Sequence, residues 1–121
     1  MKHLYKGIVQ KGGRRATMLG FPTVNIPLVD ISVSGIYVAC VTIRGRAHSA
    51  ATYVDQTRKV LEAHLLDFSD DIVGEEIIVE LREKIRDDAR FIDDAKLIAA
   101  VQDDIRRVRE YGAEHPCSPA S

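Results

Sequence analysis

Two polar residues, Thr23 and Asn25, flank Val24 in a segment bounded by Pro22 and Pro27. The two prolines exclude a helix there and hold the residues before them in extended conformations. Alternate side chains of an extended segment point to one side, so the Thr23 hydroxyl and the Asn25 amide carbonyl should lie together. Hard oxygen ligands of this kind bind Mg²⁺ beside substrate phosphates. The alternative is that both side chains only satisfy backbone groups near the prolines.

Glu62 is the next residue whose position suggests chemistry. It lies in the alternating run Lys59–Phe68, on the face of a predicted strand opposite Leu61 and Leu65. A carboxylate in an otherwise apolar run can act as a general base toward a substrate hydroxyl. The alternative is a cross-strand ion pair on a solvated face. His64 shares the face of Glu62 and is expected to pack or to orient, because no second histidine or cysteine stands at zinc-ligand spacing.

A basic turn that contains glycine, Lys11–Arg15, precedes both of these elements. Such a turn can direct backbone N–H groups and cationic side chains toward phosphates. The pattern does not match a Walker motif, and no helix is predicted behind it. A solvated hairpin turn is therefore the alternative interpretation.

Five or six short strands must position these residues. Alternation and β-branched content predict strands at Leu4–Gln10, Gly35–Arg44, Ala47–Val54, Lys59–Phe68 and Ile77–Arg82, with the extended Pro22–Pro27 segment between the first two. From Asp93, apolar residues recur at helical spacing opposite a charged face, with Asp93 as the N-cap and Gly112 as the end. This order predicts a mainly β fold, a compact barrel with one helix packed on its outside.

Composition and charge narrow the class of protein. The 121 residues are 45% hydrophobic, enough for one domain with a core. No apolar run approaches the roughly 20 residues that cross a bilayer, and the N-terminus lacks the apolar segment of a secretory signal. Residues 1–60 hold nine Lys/Arg and two acids, whereas residues 61–121 hold eight and sixteen. Because the basic residues are dispersed, a phosphate-binding loop and a solvated acidic face are favoured over nucleic-acid binding.

The two cysteines, Cys40 and Cys117, lie in an apolar run and in a polar tail respectively. They are not expected to form a disulfide framework, which predicts a cytoplasmic protein. The tail, residues 113–121, is rich in proline and small polar residues and is expected to be disordered.

Together and in this order, these segments resemble the riboflavin kinase family. Leu19–Asn25 is similar to the family's Leu-Gly-Phe/Ile-Pro-Thr-Ala-Asn signature, which follows a Gly7–Val9 strand and the basic turn. The second half of the family pattern is matched by Leu61–Phe68, Gly74, Ile85–Arg86, Phe91 and the closing helix with Asp104. The resemblance extends from about residue 3 to residue 109.

The resemblance implies a six-stranded antiparallel Greek-key barrel over residues 1–112 that transfers the γ-phosphate of ATP to the 5′-hydroxyl of riboflavin, forming FMN. Thr23 and Asn25 would bind Mg²⁺, or Zn²⁺ or Mn²⁺ in its place. Glu62 would be the base. The implied nucleotide-binding residues are Lys11, Thr17, Thr23, Leu65, Asp67 and Val73, and the implied flavin-binding residues are Arg86 and Phe91. The expected partners are riboflavin/FMN and ATP/ADP, bound by a monomer without nucleic acid or membrane. FAD synthesis is not expected, because this sequence contains no adenylyltransferase domain.

Some positions depart from the family pattern. Lys11 and Arg15 stand where the family usually has glycines, and Thr52–Arg58 replaces a longer segment with an Asn/Arg-Pro-Thr element. Val73 replaces the usual tyrosine, and Asp87 the usual proline. The shortened segment favours an alternative function, that of a non-catalytic relative that binds flavin or nucleotide as a sensor or carrier. A third alternative is an RNA-binding β-barrel that uses the basic half of the chain, which would need surface aromatic residues for base stacking.

Overall fold

Strands dominate the structure of the protein. This computed structural model describes residues 3–120, and for residue 14 it describes the backbone only. Residues 1, 2 and 121, the outer ends of the predicted domain and tail, lie outside this range. The elements are β1 His3–Ile8, β2 Gln10–Lys11, α1 Arg14–Met18, β3 Val24–Pro27, β4 Gly35–Ile43, β5 Arg46–Asp55, β6 Val60–Leu65, β7 Glu76–Arg86 and α2 Asp94–Glu114. The predicted mainly β class with a C-terminal helix is confirmed.

The described strands form one antiparallel sheet of seven, ordered β1-β7-β4-β5-β6-β3-β2. Its two outermost strands, β1 and β2, are separated in the chain by Val9 alone. Val9 is 1% exposed, and its N–H donates to the carbonyl of Glu75 at 2.8 Å. The two consecutive strands β1 and β2 thus lie at opposite edges of a curved sheet, where β1 pairs with β7 and β2 pairs with β3. This is why the structure has seven strands and not six: the predicted strand Leu4–Gln10 is divided at Val9.

The core lies inside the curve of the sheet, and a smaller cluster lies under α2. Inward-facing β-branched and leucine side chains fill the core, among them Ile26, Val41, Leu61, Ile77 and Val79. The smaller cluster joins the outer faces of β4 and β5 to the helix and is formed by Val38, Ala51, Leu66 and Val108. Since alternate side chains of a strand point into the core, the others lie on the outer face of the sheet. The part of the outer face of β5 and β6 that the smaller cluster does not cover is available for a site.

The helices agree only in part with the sequence predictions. Asp93 caps α2 as predicted, since its carboxylate accepts from the Ala95 N–H at 2.8 Å. The helix runs to Glu114, past Gly112, which lies within it and not in the left-handed conformation that ends helices. The expectation that no helix follows the basic turn was wrong, since α1 begins at Arg14. Five residues are too few to form a helix without tertiary support, so local sequence did not reveal it. None of the helices described between residues 3 and 120 has both the length and the apolar character of a membrane span.

The C-terminal segment corrects two predictions. Cys40 and Cys117 form a disulfide with their Cα atoms 5.7 Å apart, so the expectation that these cysteines would not form a disulfide framework missed this bond. Residues 115–120 are also not a free tail: the His115 carbonyl accepts from Arg82 at 2.8 Å, and the Ala120 N–H donates to Thr42 at 2.8 Å. The path of α2 returns this segment to β4, which spacing along the chain could not show. The disulfide also removes the thiol argument for a cytoplasmic protein.

Candidate active site

A cavity of about 410 Å³ lies on the outer face of β5 and β6, covered by α1, the segment after β7 and the beginning of α2. Its polar side includes Thr23, Tyr53, Glu62 and His64. Its apolar side is formed by Phe21, Ile36, Ala51, Leu97 and Val101. A space with one apolar wall and a few convergent polar groups is typical of a small-molecule site.

Thr23 and Glu62 are in direct contact at this cavity. The Thr23 hydroxyl donates to Glu62 Oε1 at 2.9 Å and accepts from the Gly13 N–H at 3.1 Å. Glycine is needed in the preceding turn because a Cβ at Gly12 would lie 1.9 Å from the Thr23 carbonyl oxygen, and one at Gly13 would lie 2.7 Å from Glu62 Oε1. The close approach of this turn therefore fixes the position of the threonine beside the carboxylate.

Asn25 lies in register with Glu62 on the neighbouring strand. It is 7% exposed, and its Oδ1 is a buried oxygen without a hydrogen-bond partner in the described part of the chain. Such an atom costs about 1–3 kcal/mol unless a ligand satisfies it. The Thr23 hydroxyl uses its proton and one lone pair in the contacts above, so one lone pair remains. These two oxygens therefore fit the donor type that Mg²⁺ prefers.

Two residues that the sequence analysis did not single out, Asp55 and Arg58, complete the polar wall. Arg58 Nη2 donates to Glu62 Oε2 at 2.5 Å, and Arg58 Nε donates to Asp55 Oδ2 at 2.8 Å. The i,i+3 spacing of an aspartate and an arginine in a turn was the available signal. It is too common in solvated turns to have indicated a site.

Arg86 and Phe91, the predicted flavin-binding residues, both line the cavity. Arg86 Nε and Nη2 donate to the two carboxylate oxygens of Asp104 at 2.9 and 2.8 Å. These hydrogen bonds raise the pKa of Arg86, against the opposing effect of burial. The guanidinium carbon lies 5.7 Å from the centre of the Phe91 ring. The pair Arg86–Asp104 therefore holds a cation and an aromatic ring together at one end of the cavity.

Three further hydrogen bonds lie around the cavity. The Tyr53 hydroxyl donates to Asp88 at 2.9 Å. The pKa of Tyr53 is raised mainly by burial and, to a lesser extent, by this hydrogen bond. Arg15 of α1 donates to the Phe91 carbonyl at 2.6 Å and to Asp94 at 2.7 Å. Arg15 thus links α1 to the segment between β7 and α2.

The remaining predicted nucleotide-binding residues lie outside this cavity. Thr23 also lines a second hollow of about 90 Å³, together with Leu65, Phe68 and Asp70. Lys11 is exposed on β2, and the hydroxyl of Thr17 in α1 donates to the Gly13 carbonyl at 2.9 Å.

Asp67 and Val73 are also outside both spaces. Asp67 is exposed and accepts from Arg109 at 3.0 Å, and this hydrogen bond lowers the pKa of Asp67. Val73 lies in a turn and is 57% exposed. The roles assigned to these residues by resemblance stay predictions.

Comparison with known proteins decides the family. The family model described as "Flavokinase: Riboflavin kinase" matches residues 1–112. The chain belongs to the riboflavin kinase family. The bifunctional riboflavin kinase/FMN adenylyltransferase of Escherichia coli strain K12 is 36% identical over 114 residues, which are 87% of this chain and 36% of that protein.

Solved structures share the fold of this family member. A crystal structure of a macrolide-efflux protein from Streptococcus pneumoniae matches with a TM-score of 0.76 and 27% identity, over 88% of this chain and 38% of that chain. Riboflavin kinase from Trypanosoma brucei matches with a TM-score of 0.71 and 20% identity, over 95% of this chain and 79% of that chain. The chain spans between 16% and 42% of the length of the curated relatives compared with it, with the lowest share in a trifunctional protein and the highest in a bifunctional one.

Proposed function

We propose that this chain is a riboflavin kinase that transfers the γ-phosphate of ATP to the 5′-hydroxyl of riboflavin. The observation that carries the proposal is the contact between Thr23 Oγ1 and Glu62 Oε1 at 2.9 Å. Asn25, in register with Glu62 on the neighbouring strand, adds a buried Oδ1 that has no hydrogen-bond partner among the described residues. A hydroxyl-orienting carboxylate next to hard oxygen ligands is what phosphoryl transfer requires of a protein. Membership of the family supports the same reaction.

Glu62 is the base in this proposal. Oε1 has a lone pair left after it accepts from Thr23, so it can accept the proton of the riboflavin 5′-hydroxyl. The hydroxyl oxygen then forms a bond to the γ-phosphorus, while the bond from that phosphorus to the β,γ-bridging oxygen breaks and releases ADP. The products are FMN and ADP, and the proton on Glu62 returns to solvent.

Thr23 and Asn25 would hold a divalent cation, for which we propose Mg²⁺. When bound, the cation would neutralise charge on the β- and γ-phosphates. Thr23 lines both the larger cavity and the smaller hollow, so it lies at the boundary between two binding spaces. We assign the flavin to the larger one, with its apolar wall and Phe91, and the nucleotide to the side of Leu65.

Glu62→Gln tests the role of the base, because it keeps the shape of the side chain and removes the proton acceptor. The rate at which FMN forms from riboflavin, ATP and Mg²⁺, measured by chromatography, should fall by about 10²–10⁴-fold. Glu83→Gln is the matched control, since Glu83 is an exposed glutamate on β7 outside the cavity. Turnover of Glu62→Gln within a few-fold of wild type would show that Glu62 is not the base.

Thr23→Val and Asn25→Leu test the proposed cation ligands. Both should weaken binding of Mg·ADP more than binding of riboflavin in calorimetry, because each removes an oxygen ligand. Equal losses for the two ligands would indicate a structural role in the extended segment. Binding of both ligands by wild type without any turnover would favour a sensor or carrier instead.

A further inference from the structure

The turn between β5 and β6 contains a buried carboxylate that holds an arginine. Asp55 is 6% exposed, and its Oδ1 accepts from the backbone N–H groups of Thr57 and Arg58, each at 3.0 Å. Its Oδ2 accepts from Arg58 Nε at 2.8 Å. The first two bonds close the turn, and the third fixes one edge of the guanidinium.

The same guanidinium holds Glu62. Arg58 Nη2 donates to Glu62 Oε2, while Thr23 donates to the other oxygen, Oε1, at 2.9 Å. A planar guanidinium that is bonded on both sides fixes the orientation of its partners, which an ammonium on a flexible stem does not. The plane of the Glu62 carboxylate is therefore set from both of its oxygens.

This arrangement does more for orientation than for stability. Water reaches the Arg58 side chain, which is 49% exposed, and screens its pairs with the carboxylates of Asp55 and Glu62, which are 9% and 12% exposed. The backbone bonds to Asp55 would keep the turn closed without the guanidinium. Arg58 nevertheless lines the cavity beside Glu62 and Thr23.

We infer that Arg58 is a positioning residue for phosphoryl transfer: Asp55 anchors its guanidinium, and the guanidinium occupies Glu62 Oε2, so that Oε1 receives the proton of the substrate hydroxyl. This inference rests on the proposed function. It assigns a role to the shortened segment Thr52–Arg58, where this sequence departs from the family pattern.

Arg58→Ala and Arg58→Lys test the inference in the full chain. For Arg58→Ala, kcat should fall by about 10- to 100-fold, as expected for a misplaced catalytic group, while KM for riboflavin and for ATP stays near the wild-type value. Arg58→Lys should remain closer to Arg58→Ala than to wild type, because one ammonium cannot reproduce the two-sided fork. Arg46→Ala, at the exposed start of β5 and outside the cavity, is the control and should keep wild-type kcat.

A chemical readout separates positioning from a structural role. Added guanidinium chloride at low millimolar concentration should restore part of the kcat of Arg58→Ala, whereas equal sodium chloride should not. Full activity of Arg58→Ala or Arg58→Lys in an active wild-type background would overturn the inference and leave the kinase proposal standing. Loss of kcat without guanidinium rescue and with a fall in melting temperature would also overturn it, in favour of a structural role. An inactive wild type would instead refute the proposed function.

Discussion

Asp104→Asn should destabilise the protein because it breaks the ion pair that holds Arg86. The Asp104 side chain is 5% exposed and accepts two bonds from the guanidinium, at 2.9 and 2.8 Å. An asparagine amide can accept through one oxygen only, and its NH₂ group would face a donor. Breaking a buried pair costs about 3–5 kcal/mol. Since Arg86 is 26% exposed and can recover water, we expect a loss of about 2 kcal/mol.

The assay is thermal unfolding by calorimetry, with Asp103→Asn as the matched control. For a chain of 121 residues, 1 kcal/mol corresponds to about 4 °C, so Asp104→Asn should lower Tm by about 8 °C. Asp103 is the preceding residue of the same helix, but its side chain is 43% exposed and pairs with exposed Arg106. Such a pair contributes about 0–1 kcal/mol, so the control should lose less than about 4 °C. Equal melting temperatures for the two variants would refute the reasoning.

Three further predictions concern the ends of the chain and the loops. Cys117→Ser should lower the free energy of unfolding by about 2–4 kcal/mol under oxidising conditions and change nothing under full reduction, because the disulfide to Cys40 joins residues 77 apart. Arg15→Ala should speed hydrogen exchange in α1 and around Phe91, since it removes the bonds between them, and unchanged exchange would exclude this link. A hydrogen bond from the Ser32 side chain, then one from Tyr5, lowers the pKa of Asp30 to about 2. The stability that ionised Asp30 contributes is thus complete above its ordinary pKa of 3.8 and is lost as the pH falls through about 2. In urea unfolding, the free energy of unfolding of Asp30→Asn should therefore vary less with pH in this window than that of wild type.

Local pattern was sufficient to predict most of the fold. Alternation along Lys59–Phe68 assigned Glu62 to the face opposite the core, and the prolines around Thr23 kept that segment extended. These two results are enough to bring both side chains to the outer face of the sheet, where they share a hydrogen bond of 2.9 Å. Asp93 was predictable as a cap because capping depends on residues close in sequence.

The features that sequence did not reveal depend on distant contacts. The disulfide requires the path of α2 to return Cys117 to β4, and no spacing along the chain encodes that path. The helix α1 is held by Arg15, whose partners lie more than 70 residues away. The role of Arg58 depends on a turn in which Lys59 has a positive φ of 59°, a conformation that is uncommon for lysine. Each of these is decided by tertiary structure and not by local propensity.

The most direct test of the central claim is to count both products of one reaction. Purified wild-type chain with riboflavin, ATP and Mg²⁺ should form FMN and ADP in equal amounts, separated and quantified by chromatography. Equal amounts would mean that the phosphoryl group passes to the flavin and not to water. ADP without FMN, or riboflavin recovered unchanged while the bound ligands are demonstrated, would contradict the account.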